Sequence, residues 1–396
     1  MKKILFLVSE DSYFCSHRLN LARSALQAGF EVAIATKTTT HTQKIQDAGL
    51  TVFPLKHFTR TGLNPIRQCQ LLLELLKIYK TYRPDIVHQV AIKPVILGSF
   101  VALWCRIPLI INALGGLGYL FTTDGSLSPE IPPFPPFSKG GKTTKTTTKL
   151  KKRVLRFLTC WLFRFIFSRG NTKLILQNQD DLDTLVKAQC ISDSKKISII
   201  RGAGVDMDAF PATLFPPEPP VIIACISRLL WDKGIGELVT AARTLQEKNI
   251  ATKIILYGTP DPENPASISH EQIQGWHDSG LIIWKGHCNH VAKAYADCHI
   301  AVLPSYREGL PKTLLEAASC ERPIITTDVP GCREVVQDGE NGLLVPAKDS
   351  EELVNALIVL IENKALRLQM GQAGRKRVAQ YFSDTLIHEA TLKLYS

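Results

Sequence analysis

No stretch of this 396-residue chain reaches the roughly 18–20 consecutive apolar residues that a membrane-crossing helix needs, so a bilayer span is not expected. The nearest runs stop short: residues 94–104 are ended by Cys105-Arg106-Ile107-Pro108, and residues 154–167 are interrupted by Arg156 and Arg164. The ten cysteines contain no CxxC pair and lie far apart in a long chain, which argues against a disulfide framework. Most sit among apolar neighbours, as Cys225 does in VIIACIS, and read as small buried hydrophobes in a reducing compartment. The start, MKKILFLVSED, places two lysines before an apolar run. That run covers only residues 4–8, too short for the apolar part of a secretory signal, so it reads as a first strand and a cytoplasmic location is expected. Acidic residues are missing altogether from residues 139–173, where eleven lysines and arginines stand; outside that segment 36 basic residues balance 36 acidic ones. The net charge of +11 is therefore local. A polynucleotide-binding face would spread basic charge more widely, so an anionic surface is favoured over nucleic acid.

What is present is an ordinary globular balance, 45% hydrophobic and 21% charged, in a length that suggests two domains. Short apolar runs alternate with amphipathic stretches, the pattern of parallel sheets covered by helices. Strands are expected at 4–9, 32–36, 52–55, 86–88, 109–112, 173–177 and 197–200, with helices around 18–27, 43–48, 65–82, 94–105, 151–167 and 179–188. A second series of strands is expected at 221–226, 254–257, 281–284, 300–303 and 323–326. The fold class is therefore α/β, two doubly wound Rossmann-like domains facing a central cleft.

The predicted division is a first domain over 1–209, a Pro-rich hinge over 210–220 (FPATLFPPEPP), a second domain over 221–382, and a last helix over 383–396 packing back on the first domain. Residues 124–149, rich in Pro, Gly, Thr and Lys with little apolar content, read as a disordered insertion.

The strongest chemical signal is LPSYREGLPKTLLEAASCERPIITTDVPGCREVV, 303–336. A strand ends at Leu303, a loop carries Glu308 and Gly309, and Pro311 suits the first turn of a helix running to about Ser319. The amides of Gly309, Leu310, Lys312 and Thr313 then form the positive end of that helix, a seat for phosphate. Glu316 can accept bonds from both hydroxyls of a ribose while Glu308 reaches a sugar. The second signal is CISRLLWDKGIGELVTAARTL, 225–245, where a strand runs into Arg228 and Lys233-Gly234 open a helix. Two cations at such a turn can neutralise a leaving diphosphate, Arg228 by a forked contact and Lys233 as a compact charge. Neither GxGxxG nor GxxxxGK[ST] occurs there. A purely structural role would pair Arg228 with an acid such as Asp232.

SRLLWDKG, SYREGLPKTLLEAASCERPIITTDVPGCREVVQDGENGLLVP and QNQDDLDTLV…IIRGAGVDMDAF together resemble the retaining family 4 glycosyltransferases of GT-B fold. The resemblance is strongest to the branch that builds capsular and O-antigen repeat units on a polyprenyl-diphosphate lipid. It implies that Arg228 and Lys233 bind the diphosphate, Glu316 the ribose and Glu308 the donor sugar, and that the Lys285-Gly286-His287 turn flanks the base. It also implies a nucleotide-sugar donor, with UDP favoured, a lipid-linked saccharide acceptor, retention of configuration, no nucleic-acid partner and no cofactor or metal. An epimerase of the same fold, or a catalytically inactive nucleotide-sugar-binding partner protein, are the rival readings.

The acceptor side is less clear in the sequence. INALGGLGYLF, 111–121, puts Gly115, Gly116 and Gly118 after a strand, where backbone can approach a ligand. Many relatives carry a histidine after this strand and this chain does not; His17 and His88 are the candidates for acceptor or sugar contact. His287, Cys288, His290, Cys298 and His299 include zinc-ligand residue types, but their spacing fits no compact site. The run 150–169 is basic and aromatic. It suits a peripheral contact with an anionic membrane face through Phe157, Trp161 and Phe165, with Arg156 and Arg164 at headgroup level.

Overall fold

The computed structural model describes residues 1–59, 64–117, 145–191 and 196–396, with backbone alone for 145–154. In the first half lie β1 (Lys3–Glu10), α1 (Asp11–His17), α2 (Leu19–Gln27), β2 (Glu31–Lys37), α3 (Thr42–Asp47), β3 (Thr51–Pro54), α4 (Pro65–Tyr82), β4 (Ile86–Val90), α5 (Ile92–Trp104) and β5 (Leu109–Leu114). Then follow α6 (Lys145–Phe167), β6 (Thr172–Leu176), α7 (Gln179–Lys187) and β7 (Ile197–Ile199). The second half holds β8 (Val221–Ile226), α8 (Ile235–Glu247), β9 (Thr252–Tyr257), α9 (His270–Asp278), β10 (Ile283–Trp284), α10 (Val291–Ala296) and β11 (Ile300–Leu303). It continues through α11 (Lys312–Ser319), β12 (Ile324–Thr327), α12 (Cys332–Val335), β13 (Gly342–Val345), α13 (Ser350–Glu362), α14 (Lys364–Tyr381) and α15 (Asp384–Leu392).

The strands form two all-parallel sheets, ordered β3-β2-β1-β4-β5-β6-β7 and β10-β9-β8-β11-β12-β13. Both follow the doubly wound pattern, whose crevice lies outside the carboxyl ends of the strands where the order reverses, beside β1 and β4 in one sheet and β8 and β11 in the other. Central strands are continuous apolar runs because helices cover both faces: every residue of β4 and of β11 is buried. Helix ends follow local rules. Asn64 caps α4 at Ile66 and Arg67 with Pro65 in the first turn, and Asp349 caps α13 at Glu351 and Glu352.

Several expected elements shift. Residues 11–17 form a helix of their own, with buried Asp11 bonded to Thr39 and Thr42. β13 and helices α9 and α12–α14 have no counterpart among the expected elements. Of the segment read as a disordered insertion, 145–149 is the first part of α6, while 124–144 lies outside the described residues. Cys160 and Cys190 are joined as a disulfide with Cα atoms 4.4 Å apart, a departure from the reading of isolated small hydrophobes; Cys225, Cys298, Cys320 and Cys332 are buried and free, as that reading expects.

The Pro-rich segment 210–220 is fastened to the second domain. Arg322 donates to the carbonyls of Thr213 and Leu214, Ser319 and Arg375 to that of Phe210, and the Pro216 carbonyl lies 3.1 Å from the His299 ring. Ahead of that segment Ile200 packs in the core of the first sheet and Val205 in that of the second, and the chain comes back alongside at Ser383. The two are hydrogen-bonded side by side, Val205 N to Phe382 O at 3.0 Å and Asp384 N to Val205 O at 3.0 Å. From there α15 lies against α2, with Ser24 Oγ 3.0 Å from His388 Nδ1.

Candidate functional site

The site grows from the carboxyl ends of β8 and β11. After β8 the chain passes Ser227 and Arg228 and turns at Trp231–Lys233 into Gly234, whose φ of +69° and whose approach to the Pro304 carbonyl leave no room for a side chain. After β11 the loop 304–311 is tied to that turn twice. The Tyr306 amide donates to the Asp232 carbonyl (2.9 Å), and the Tyr306 hydroxyl donates to Glu237 (2.6 Å). This lacing puts the Lys233 ammonium against the Glu308 carboxylate, a short ion pair that is mostly shielded from water. Two residues 75 apart in sequence are thereby fixed at the mouth of the sheet.

α11 opens at Lys312, and its first turn leans on β8: the Thr313 hydroxyl bonds the Ile226 carbonyl at 3.1 Å and also meets the Tyr295 hydroxyl. The amide end of α11 thus faces the same crevice as Arg228, two residues beyond Ile226. Glu316 sits one turn inside the helix, 9% exposed, with Lys312 Nζ 3.3 Å from its carboxylate. Burial pushes its carboxyl up, with the Lys312 ammonium pulling the other way. Arg228 is half exposed and pairs with Asp261 at 3.0 Å, not with Asp232. His287 is exposed on the turn after β10, where the Gly286 carbonyl accepts from the Gly258 amide at 2.7 Å.

Not every predicted donor contact is free to act through its side chain. The Thr313 hydroxyl is spent on Ile226, and the Leu310 side chain is buried against Gly202, so only their amides face outward duties. Gly309 is wedged between domains. A Cβ there would lie 2.2 Å from the Gly115 carbonyl oxygen, and Gly116 approaches its Cα. Gly115 therefore touches the loop 304–311, while Gly118 lies outside the described residues.

The two histidines divide. His17 ends α1 rather than starting a helix; its ring stacks on Tyr13 (centroids 4.2 Å apart) and bonds Ser16. Burial, with the nearby Lys312 ammonium, pushes its pKa down to about 3, so the ring is neutral in ordinary buffers. Lys312 Nζ also donates to the Ser16 carbonyl (2.5 Å), which ties this corner of the first domain to Glu316. His88 does not reach the crevice. It lies inside β4, 1% exposed, stacked on Phe6 with Nδ1 bonded to the Tyr395 hydroxyl at 2.5 Å, and burial holds its pKa well below the usual value. The expected strand 86–88 stops short: Gln89 and Val90 are also buried and the strand continues through them.

Three residues that the sequence reading left without a role also reach the site: Asn178 and Asp181 at the start of α7, and Arg307. Asn178 donates to the Gly309 carbonyl at 2.8 Å, and Arg307 meets Asp181 at 3.3 Å. The N-cap pattern of QNQDD was legible, but its partner 131 residues away was not. Among the described residues no three His, Cys, Asp or Glu side chains gather as a metal site, and no helix is long and apolar enough to cross a membrane.

Comparison with known proteins meets this geometry at both halves. Residues 206–377 match the family profile "Glycosyl transferases group 1", and residues 3–131 match "Glycosyl transferase 4-like". The N,N'-diacetylbacillosaminyl-diphospho-undecaprenol alpha-1,3-N-acetylgalactosaminyltransferase of Campylobacter jejuni is 25% identical over 99% of this chain and 98% of its own. The UDP-Gal:alpha-D-GlcNAc-diphosphoundecaprenol alpha-1,3-galactosyltransferase of Escherichia coli is 22% identical over 81% of this chain and 78% of its own. Among solved structures, Anabaena Alr3699/HepE in complex with UDP-glucose superposes with a TM-score of 0.73 at 16% identity, covering 99% of both chains. Two glycosyltransferase profiles thus occupy the two sheets whose carboxyl ends build the crevice, and the chain belongs to the family 4 glycosyltransferases of GT-B fold.

Proposed function

We propose that this glycosyltransferase moves a sugar from a UDP-sugar to a lipid-linked saccharide in surface polysaccharide assembly, with retention of anomeric configuration and without a metal. The observation that carries the reading is the meeting of Lys233, Glu308 and the amide end of α11 at one sheet mouth, with Arg228 at its rim. Negative charge grows on the departing diphosphate in an oxocarbenium-like transition state, and cations and amides placed there lower the barrier. Glu316, buried behind the first turn, holds the ribose hydroxyls, Glu308 the donor sugar, and His287 flanks the base. The acceptor enters from the first domain past Gly115 and His17. The diphosphate oxygen itself takes the acceptor's proton, consistent with a His17 ring too weakly basic for that task and an inward-facing His88. The lipid-linked acceptor is supported by the names of the Campylobacter and Escherichia relatives.

The test is consumption of UDP-glucose, UDP-galactose and their N-acetylhexosamine counterparts with a polyprenyl-diphosphate-linked N-acetylhexosamine as acceptor, the anomeric linkage being read by NMR. An α-linked product from an α-donor is expected; an inverted product, or strict dependence on added divalent metal, removes that part of the reading. A saturating donor at 100 times its dissociation constant should raise stability by about 2.7 kcal/mol.

A lipid-borne acceptor asks for contact with its bilayer, and α6 offers a face for it. Phe163, Ile166 and Phe167 turn inward, while Phe157 and Trp161 stand 71% and 58% exposed with Leu158 beside them and Arg164 on the same side. Trp104, 78% exposed at the end of α5, and the Phe100–Phe165 stack (5.7 Å) adjoin it. Such a face suits the interface of an anionic membrane. Co-sedimentation with phosphatidylglycerol vesicles at low salt should be strong for the wild type and at least about tenfold weaker for Phe157→Ser/Trp161→Ser, since each large side chain is worth roughly 1.5–3 kcal/mol of burial. Equal binding by the two proteins, or none by either, ends the idea.

A further inference from the structure

We infer that Asn178 and Asp181, in the first domain, are positioning residues for the second domain's donor loop: they hold both chain neighbours of Glu308, so that its carboxylate keeps its working place only while the domains are docked. The inference rests on the reading of Glu308 as a donor contact.

Asn178 is fully buried, and its carboxamide serves both its own helix, where Nδ2 also lies 3.4 Å from Asp181 Oδ2, and the facing loop. Its Oδ1 accepts from the Asp181 amide at 2.7 Å, capping α7, and its Nδ2 donates to the Gly309 carbonyl at 2.8 Å. Asp181 is 2% exposed, and the cation that answers it is Arg307, Nη2 to Oδ1 3.3 Å. Arg307 and Gly309 flank Glu308, so one helix start in the first domain grips the loop on either side of the carboxylate. From the other side Lys233 grips the carboxylate itself. Gly331 closes the second-domain flank: with φ +82°, a Cβ there would lie 2.4 Å from the Gly309 carbonyl oxygen.

The energetics make this a two-state contact. Burying a carboxylate is costly unless a counter-charge and hydrogen bonds answer it. Burial pushes the Asp181 carboxyl up on balance, with Arg307 pulling the other way, so the docked pair answers only part of its own desolvation. Separation of the domains parts Asp181 from Arg307 and Asn178 from Gly309 together, and the loop loses both tethers in one step. The donor's uridine and ribose contacts lie on the second domain alone and are untouched by that loss.

Arg307→Met and Asp181→Asn remove the pair, Arg307→Lys returns a charge, and Asp180→Asn, on the exposed neighbouring position, is the control. With the UDP-sugar that the wild type consumes and the acceptor named above, kcat should fall by about 10²-fold in the first two, the cost of a small misplacement. Donor KM should stay within about twofold, Arg307→Lys should recover most of the loss, and the control should match wild type. Amide hydrogen exchange over 305–311, measured with UDP bound, should quicken in the first two variants at unchanged UDP affinity by calorimetry. Wild-type kcat together with unchanged exchange overturns the inference. A wild type that neither binds UDP nor consumes any donor fails the donor reading instead, and exchange measured without UDP then decides the positioning role by the same criterion.

Discussion

Lys233→Ala is expected to lower kcat by about 10²–10³-fold at saturating donor, the usual cost of removing one preorganised stabiliser of transition-state charge. The ammonium stands against Glu308 in a largely shielded corner, with 18% and 12% of the two side chains exposed. In such a place it acts through a lower effective dielectric than a surface lysine would. On the proposed reading its loss removes the cation that faces the leaving diphosphate, and it leaves Glu308 without its partner. The fold should survive, because Gly234 and the Tyr306–Glu237 bond hold the turn without it. The measurement is kcat alongside a thermal melt. A folded variant turning over within about threefold of wild type would falsify the charge-neutralising role.

Gly309→Ala should be nearly as severe for a different reason. Gly309 does not sit in the left-handed region, so its backbone accepts alanine; the obstacle is contact, with the Gly115 carbonyl oxygen 2.2 Å and Gln177 Oε1 2.8 Å from the new methyl. Gly115 and Gln177 belong to the first domain, so relief comes by easing the domains apart. On the proposed reading that withdraws the acceptor side and leaves the uridine and ribose contacts of the second domain in place. A kcat loss of about 10²-fold with UDP affinity changed far less is expected. Gly275→Ala is the counterpart. It lies inside α9 with nothing within 4 Å, and should be silent in activity and stabilising by up to about 1 kcal/mol. Equal effects from the two substitutions would show that the Gly309 contact carries no catalytic weight.

Much of this was open to a reader of residues alone. VIIACI and IAVL can hardly be anything but covered central strands, and Glu308 and Glu316 stand eight apart across a strand–loop–helix junction that fixes where they face. What escaped did so for physical reasons. His88 and Gln89 are polar residues inside an all-buried strand, which an apolar-run criterion truncates. GLLV opens on glycine behind a turn and leaves Leu343 and Leu344 only half-buried, so it stands out less from loop than the fully buried IAVL. The prolines of 210–220 promised a free linker because composition does not reveal that Arg322, Arg375 and His299 hold that segment. Asn178, Asp181 and Arg307 gain meaning only when two sheets are set face to face, and no local spacing encodes that.

The paired passages at Val205 and Ser383 bear on how the halves swing. A lone tether would let one lobe twist and slide over the other in any direction. Two neighbouring straps that share hydrogen bonds behave like a door on a pair of pins, bending about one line and resisting torsion. Gly204, at φ +75° and pressed on the Asp384 backbone, is where those pins touch. A protease that cuts the outgoing strap would leave the lobes joined through the returning one, so the nicked enzyme should keep its two pieces together while losing the guided path along which they meet.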